Sequence, residues 1–283
     1  MERKKFILAS MLSLAAAFLL VLAAVGCGNG TASGSDLSGS LSLSGSTTVL
    51  PIAQEAADMF MEKYPKVTVN VQGGGSSVGI SNVAEGIVDV GDSSRELNND
   101  ESSKGLVDHK IAYDVIVVIT NKNVPVENLS ADQVKGIFTG TIKNWQEVGG
   151  PDAPITVVVR DSSSGTREMF DEKALQKQKP LSGAIETNSN GIMRQTISST
   201  PNAIGYVSLG YADGSVKLLD YGGVAGNQAN ALNGSYPLSR YLHMFTKGEP
   251  SDLAKAFIDY VLSNDFQNQV VSKEYIPITE AKS

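Results

Sequence analysis

The hydrophobic residues of this chain follow two alternating patterns, short β-branched runs and longer stretches with helical spacing. Residues 155–159 (ITVVV) form a short apolar run, which predicts a buried parallel strand. From Thr166 onward apolar residues recur at helical spacing, so a helix is expected there. Between the two lies a polar turn, RDSSSG at residues 160–165. The stretch is therefore predicted to form a strand, a turn and a helix.

The same order of strand, turn and helix occurs twice in the first part of the chain. Residues 41–44 alternate as a short strand, and GSTT and a helix-period stretch up to Tyr64 follow them. Residues 67–71 alternate as a second strand, and GGGSS at residues 73–77 leads into another helix. A third short strand is predicted at residues 88–91. Strands that alternate with helices predict a mainly parallel α/β sheet, in which ligands bind beyond the carboxyl ends of the strands.

Three further segments complete the predicted architecture. Residues 111–120 form an apolar strand that is longer than one sheet position requires, so it could cross between two lobes. Residues 236–245 are predicted to form a return strand, and residues 251–271 a terminal amphipathic helix. Ser130 and Gln133 form a capping box, which predicts the start of another helix.

The turns after the predicted strands carry the chemistry. Four of them present serine or threonine beside glycine or arginine. A helix that opens on Ser164 and Gly165 directs unpaired backbone N–H groups and its positive dipole end at whatever lies before it, and Arg160 adds further donors. A single such turn could be only a helix cap. Because the pattern recurs at four strand ends, the sequence predicts one oxyanion pocket where those ends converge.

The first forty residues have a different character from the rest. Three basic residues precede the apolar stretch 6–25, which is the layout of a secretory signal peptide, with an uncleaved anchor as the alternative. Residues 24–27 (AVGC) resemble a bacterial lipobox, so we expect cleavage after residue 26 and a lipid on Cys27. Residues 27–40 are rich in Gly and Ser and are predicted to be a flexible tether, with the folded part beginning near Leu41.

Charge and cysteine content narrow the functional classes. The full chain has a net charge of −7, and removal of residues 1–26 leaves 20 basic against 29 acidic residues, a net charge of −9. That balance argues against binding to nucleic acid or to an anionic membrane surface. Cys27 is the only cysteine, so a disulfide is excluded and the thiol suits lipid attachment. Because the negative net charge repels an anion at long range, an anion site in this chain must bind its ligand through local hydrogen-bond donors.

Several other motif interpretations are weaker. Gly75, Ser77 and Gly79 match the G-x-S-x-G pattern of a serine hydrolase that would use Ser77 as nucleophile, but the sequence has only two histidines and no HGG-type oxyanion motif. Ile80 occupies the lysine position of a P-loop, and the histidines are too far apart in sequence to suggest a metal site. An adhesin or structural role stays open for a surface lipoprotein. We therefore expect no catalytic residue, metal or cofactor.

Six ordered motifs resemble those of PstS, the phosphate-binding proteins of bacterial phosphate ABC transporters. They cover essentially the whole mature chain and are GSTTVLP at 45–51, GGGSSVG at 73–79, DVGDSSREL at 89–97, IFTGTIKNWQEVGG at 137–150, RDSSSGTR at 160–167 and AIGYVSLGY at 203–211. The resemblance implies an α/β periplasmic-binding-protein fold of type II, in which two lobes joined by two crossing strands hold the ligand in the cleft. Lobe I would comprise residues 41–112 plus 240–283, and lobe II residues 113–239.

The same resemblance implies a function and a ligand set. The protein would be a monomer that is anchored by lipid to the outer face of the cell membrane, captures inorganic phosphate and delivers it to permease subunits, without enzymatic activity. Sulfate or molybdate binding on the same fold is the nearest alternative. The phosphate ligands carried over by motif are Ser46, Thr47, Ser76, Ser94, Arg95, Arg160, Ser164, Gly165 and Thr166.

One position departs from the family pattern. In the motif at residues 89–97, well-known family members carry a carboxylate at the third residue after the glycine, and this group accepts the proton of hydrogen phosphate. This chain has Ser94 at that position, three residues after Gly91. Because a buried acceptor rejects the fully ionised sulfate, its loss leaves the preference for phosphate over sulfate less secure. Asp92 or Asp161 could accept the proton instead, or Arg95 could shift the balance toward charge neutralisation.

Overall fold

The computed structural model describes residues 37–281. The predicted signal peptide, Cys27 and most of the predicted tether therefore lie outside the described residues. Residues 37–281 belong to one compact unit, and its first strand begins at Gly39, two residues before the predicted start at Leu41. No helix in this part of the chain is both long and apolar enough to cross a membrane.

The first block of sheet is parallel, as the alternation of strands and helices predicted. It contains three strands in the spatial order β2, β1, β3. Its elements in chain order are β1 (Gly39–Gly45), α1 (Leu50–Lys63), β2 (Val67–Gly73), α2 (Ser76–Glu85), β3 (Val90–Ser93) and α3 (Asn99–Ser102). Each strand except β3 ends directly before the polar turn that opens the next helix, so the turns lie at one edge of the block.

A second parallel block follows later in the chain. Its elements are α4 (Ala131–Thr139), β6 (Thr156–Arg160), α5 (Gly165–Lys173), β7 (Ile185–Thr187), α6 (Asn190–Ser199) and β8 (Ala203–Ser208). The strands lie in the spatial order β8, β6, β7, and the register pairs Thr156 with Ala203 and Arg160 with Thr187. The capping box at Ser130 and Gln133 is confirmed, since each side chain bonds the other residue's backbone N–H.

Two long antiparallel strands join the blocks. β4 (Leu106–Thr120) pairs with β10 (Ser239–Lys247) along its first part and with β8 along its last part. β10 also pairs with β3, which gives the order β2-β1-β3-β10-β4-β8-β6-β7. The sheet is therefore mixed rather than mainly parallel, because the chain leaves the first block along β4 and returns in the opposite direction along β10.

Further strands and α-helices cover the sheet or extend its edges, besides 3-10 helices at Trp145–Val148 and Leu209–Tyr211 and a π-helix at Gln267–Val271. These strands and α-helices are β5 (Asn128–Leu129), β9 (Lys217–Tyr221), α7 (Gln228–Leu232), α8 (Asp252–Leu262), α9 (Asn264–Phe266), α10 (Ser272–Glu274) and β11 (Ile276–Pro277). The predicted terminal helix over residues 251–271 is interrupted at Ser263, whose side chain accepts the backbone N–H of Phe266 and restarts the chain as a new helical turn.

The buried apolar residues form two large clusters. The cluster that we call core I includes Leu43, Phe60, Ala112, Leu242 and Phe257. The second cluster, core II, includes Val115, Phe138, Phe170, Tyr206 and Leu238. β4 contributes Ala112 to core I and Val115 to core II, so the change of core occurs at the two residues between them. A two-lobe fold of the periplasmic-binding-protein kind accounts for this division.

Candidate functional site

The four hydroxyl-rich turns predicted from the sequence meet in one place. A Cβ atom added to Gly165 would lie 2.4 Å from Ser76 Oγ and 2.9 Å from Ser94 Oγ. Ser76 and Ser94 bond each other, with 3.2 Å between their hydroxyls and 3.0 Å from the Ser94 backbone nitrogen to Ser76 Oγ. Thr48 Oγ1 is 3.1 Å from Thr166 Oγ1. The turns after β1, β2 and β3 therefore contact the turn after β6, so the first parallel block meets the second there.

The local structure of the turns explains why their donors are available. Ser164 is the N-cap of α5 and its hydroxyl accepts the backbone N–H of Arg167. Gly75 precedes α2 with a φ of 97°, a conformation that favours glycine, and it has no side chain with which to cap that helix. Ser46 Oγ accepts the backbone N–H of Thr48, so this hydroxyl organises the turn after β1. Both α2 and α5 thus direct their N-termini toward the junction, where an anion would be stabilised.

Arg160 is the central charged residue of the predicted set. Only 1% of it is exposed. Its Nε donates to the Thr187 carbonyl, and Nη2 donates to the Asn188 carbonyl and, at 3.4 Å, to Thr47 Oγ1. Its Nη1 is buried and has no hydrogen-bond partner among residues 37–281. Burial lowers the pKa of Arg160 below its ordinary value. No carboxylate within residues 37–281 forms an ion pair with Arg160, so the site holds a cation that lacks a counterion.

The structure adds a second arginine that the sequence analysis missed. Arg240 lies on β10 opposite Asp114 on β4, and its Nε and Nη2 bond Asp114 Oδ2 at 3.0 and 2.9 Å. Nη2 also donates to Thr48 Oγ1 and to Thr166 Oγ1, at 3.2 and 2.9 Å. Its Nη1 is again buried without a partner in the described part of the chain. Arg240 therefore reaches the same threonines as the predicted turns.

Asn190, also missed, connects the two arginines. Its Nδ2 lies 2.9 Å from Thr48 Oγ1 and 3.4 Å from Thr47 Oγ1, the threonines that accept from Arg240 and Arg160 respectively. Its Oδ1 accepts the backbone N–H of Ser208. The sequence signal that could have indicated Arg240 is a cationic residue within an apolar return strand, and Asn190 carries no comparable signal.

The electrostatics of this junction favour an anion. Burial lowers the pKa of Arg240 and raises that of Asp114, and the attraction within this pair opposes both shifts. Proximity to Arg240 further lowers the pKa of Arg160, because two buried cations repel each other. Asp114 neutralises one guanidinium and also accepts from Ser208 Oγ at 2.6 Å. One net positive charge and two unpartnered Nη1 atoms are left, which is the arrangement expected of a dry anion site.

Arg95 has different surroundings from Arg160 and Arg240. Its Nη1 and Nη2 bond Glu101 at 2.6 and 2.9 Å, and Nη2 donates to Ser77 Oγ at 3.0 Å. Its Nε lies at an ion-pair distance of 2.6 Å from Glu168 Oε2, but this buried Nε makes no hydrogen bond of good geometry within residues 37–281. Two carboxylates thus surround one guanidinium. The predicted contact between Arg95 and phosphate stays a prediction, and these partners do not favour it.

The two acids considered as proton acceptors are differently placed. Asp161 Oδ1 already accepts the backbone N–H and the hydroxyl of Ser163, at 2.9 and 2.6 Å. Asp92 is fully buried, and its Oδ1 has no hydrogen-bond partner within residues 37–281. Burial raises the pKa of Asp92 well above its ordinary value, which favours the neutral acid. Asp92 in its neutral form is a poor proton acceptor, and Asp161 already uses one carboxylate oxygen to bind Ser163.

The serine-hydrolase interpretation finds no base at Ser77 in the described part of the chain. Ser77 Oγ accepts from Arg95, whereas His243 Nδ1 bonds Asp108 at 2.8 Å and His109 bonds Thr246. His243 and Asp108, with Glu96, bring three potential metal ligands within 4.8 Å of one another. Lys110 Nζ lies 4.0 Å from Glu96, so this cluster already includes a cation.

Comparisons with known proteins agree on one family. The model of the PBP superfamily domain matches residues 30–265. The phosphate-binding protein PstS of Bacillus subtilis (strain 168) is 41% identical over 294 aligned positions, which cover 100% of this chain and 97% of the relative. A crystal structure of a putative phosphate ABC transporter substrate-binding protein with bound phosphate, from Clostridium perfringens, has a TM-score of 0.82 at 39% identity and covers 85% of this chain and 100% of its own. An ABC-type phosphate transport receptor from Vibrio cholerae has a TM-score of 0.71 at 33% identity, with 83% and 99% covered.

Proposed function

Because the chain belongs to the PstS phosphate-binding proteins of the PBP superfamily, we propose that it captures inorganic phosphate between two lobes and delivers it to the permease of a phosphate ABC transporter. The family is a solute-binding component of a transporter, so the task is capture and release rather than catalysis. No bond needs to be made or broken in the ligand.

The observation that carries the proposal is the pair of buried guanidinium groups with unpartnered Nη1 atoms. Arg160 and Arg240 approach adjacent threonines, and Asn190 contacts both threonines. A buried cation without a counterion is costly, and a small dianion placed among these donors removes that cost. Each charge-assisted hydrogen bond contributes about 1.5–3 kcal/mol net, so several of them suffice for tight binding after the costs of desolvation and closure.

The proposed ligand set joins the predicted residues, except Arg95, to the two that the structure adds. It consists of Ser46, Thr47, Ser76, Ser94, Arg160, Ser164, Gly165, Thr166, Asn190 and Arg240. Its side chains are hydroxyls, an amide and two guanidiniums. Since a hydroxyl can either donate or accept, Ser76 or Ser94 is proposed to accept the proton of hydrogen phosphate. Sulfate and molybdate are the competing ligands of the same class.

Hydrogen bonds between the two parallel blocks support a closed form of the cleft. Ser77 donates its backbone N–H to the Ser163 carbonyl at 3.1 Å, and Ser163 Oγ bonds the Gly74 carbonyl at 3.2 Å. Tyr211 Oη bonds the Thr47 carbonyl at 2.5 Å. Binding would favour this form over an open one, and the permease would recognise it. The lobe boundaries at residues 112/113 and 239/240 belong to this proposal.

The location and anchoring of the protein are also proposed. We place it on the outer face of the cell membrane, as a monomer, with a signal peptide removed after residue 26 and a lipid on Cys27. Mass spectrometry of the membrane fraction tests this, because a lipidated protein is heavier than the polypeptide from residue 27 by the mass of the lipid. A Cys27→Ser variant is expected to leave the membrane fraction, and its retention there would contradict the anchor.

Calorimetry of the purified protein with phosphate, sulfate and molybdate tests the proposed function. We expect phosphate to bind most tightly, and Arg160→Ala to weaken phosphate binding at least tenfold without unfolding the protein, since one unpartnered cation is removed. Arg194→Ala is the matched control, because Arg194 forms only an exposed ion pair with Asp213. Unchanged affinity in Arg160→Ala, or tighter binding of sulfate than phosphate, would refute the assignment.

A further inference from the structure

Glu101 holds the Arg95 side chain in place from its own side of the cleft. Both carboxylate oxygens of Glu101 bond the guanidinium, and Oε2 also accepts the backbone N–H of Asn98 at 3.0 Å. Asn98 in turn accepts the N–H of Glu101 and completes a capping box at α3. Although burial raises it, the hydrogen bonds from Arg95 and from the Asn98 backbone lower the pKa of Glu101. Arg95 is therefore held in place by residues of its own segment, which runs from β3 through α3.

Glu168 approaches the same guanidinium from the other side. It lies on α5, whose Phe170 packs in core II. Its Oε2 is 2.6 Å from Arg95 Nε, and half of its side chain is exposed. One guanidinium between two carboxylates carries a net charge of −1. That cluster repels a dianion, so Arg95 is not available as an electrostatic ligand in this arrangement.

Arg95 and Glu168 each lie close in sequence to a residue that contacts the opposite side of the cleft. Arg95 follows Ser94 directly, and Glu168 lies three residues after Gly165 on the same helix. The contact of Gly165 with Ser94 and that of Glu168 with Arg95 therefore join the same two segments. We propose that the Arg95–Glu168 ion pair is a latch that forms when the cleft closes, with Arg95 acting as a positioning residue that slows phosphate release.

The latch proposal rests on the proposed function, and it adds a separate prediction for the dissociation rate of phosphate. The pair contributes to the closed form only, so its loss shifts the balance between open and closed forms and raises the dissociation rate. Because Glu168 is half exposed, solvent screens the pair, and we expect a three- to fivefold effect rather than a larger one. Salt should reduce that effect, since exposed ion pairs weaken with ionic strength.

The test compares Glu168→Gln with Glu172→Gln in the full protein. Glu172 lies one turn further along α5, and its one ion pair among residues 37–281 is with Lys177, at 3.9 Å, so its change removes the same charge without touching Arg95. We expect Glu168→Gln to release phosphate about three to five times faster than wild type in stopped-flow measurements. Glu172→Gln should match wild type, and both variants should keep the wild-type melting temperature without phosphate.

Ionic strength separates a latch from a general structural effect. The gap in release rate between wild type and Glu168→Gln should narrow between about 0.05 M and about 0.5 M NaCl, because the wild-type ion pair is screened. A release rate for Glu168→Gln equal to that of wild type, or a gap that salt leaves unchanged, would overturn the latch alone. A wild-type protein that binds no phosphate would overturn the proposed function and the latch with it.

Discussion

Gly165 provides a sharp test of how closely the turns approach each other. It is the first residue of α5 and its φ is not in the left-handed region, so the backbone accepts alanine, which also favours helix formation. The added Cβ, however, would lie 2.4 Å from Ser76 Oγ, 2.9 Å from Ser94 Oγ and 3.0 Å from Ser76 Cβ. The first two separations are shorter than a Cβ atom tolerates from a non-bonded neighbour. Gly165→Ala should therefore leave each lobe folded and prevent the turns from meeting.

The size of the effect follows from the distances. An ordinary carbon–oxygen contact needs about 3.4 Å or more, so the Ser76 and Ser94 hydroxyls must rotate away or the turns must separate. Either change removes or lengthens the bonds from these turns to the anion. If two charge-assisted hydrogen bonds are lost at about 1.5–3 kcal/mol each, the dissociation constant rises at least a hundredfold. We expect this loss to occur without a large change in melting temperature in the absence of phosphate.

Calorimetry with phosphate and thermal melting without it measure the two parts of this prediction. The matched control is Gly191→Ala, because Gly191 lies in the first turn of α6 and no atom outside its own neighbourhood lies within 4 Å of the added Cβ. The control should bind phosphate like wild type. Wild-type affinity in Gly165→Ala would show that the turns do not close on each other around the ligand, and the reasoning on the cleft would be refuted.

Two further predictions concern acidic groups. Asp92→Asn should raise the melting temperature at pH 7 by about 3 °C or more, because burial raises the pKa of Asp92 and folding at that pH must protonate a carboxylate that is ionised in the unfolded chain. The gain should fade as the pH falls toward about 4, near the unfolded pKa, and an equal gain at both pH values would contradict it. Ser94→Asp restores the family carboxylate and should raise the ratio of phosphate to sulfate affinity at least tenfold in competition calorimetry, because an ionised acceptor repels sulfate. An unchanged ratio would mean that residue 94 does not face the anion.

The sequence predicted what depends on neighbours along the chain. β6 and α5 follow from a β-branched run, a polar turn and apolar residues at helical spacing, all within twenty residues. The capping box at Ser130 is equally local. The serines and threonines of four turns could be grouped because parallel strands place their carboxyl ends at one edge. These parts of the fold and site are set by short-range chemistry, so the pattern alone was sufficient.

The parts that the sequence did not predict depend on distant partners. Arg240 reaches the site only because β10 lies beside β4, which places it opposite Asp114, 126 residues earlier. The antiparallel path of β4 and β10 likewise depends on where the chain returns. The end of α8 at Ser263 is a local event, but the apolar spacing continues across it, so the periodicity concealed the break. Each of these features needed the three-dimensional arrangement.

The three buried arginines show why a motif alone does not assign a ligand. Arg95 follows the serines of its turn and Arg160 precedes the serines of its turn, and the sequence predicted both as phosphate ligands. Arg95 is bonded by Glu101 and approached by Glu168, whereas Asp161, the acid next to Arg160, bonds Ser163 instead. Whether a nearby carboxylate bonds the guanidinium thus decides whether the protein neutralises that charge or leaves it to attract an anion. By this criterion Arg160 is the proposed electrostatic ligand of phosphate, whereas Arg240, already neutralised by Asp114, is proposed to contribute its Nη1 as a hydrogen-bond donor and Arg95 to hold the cleft closed.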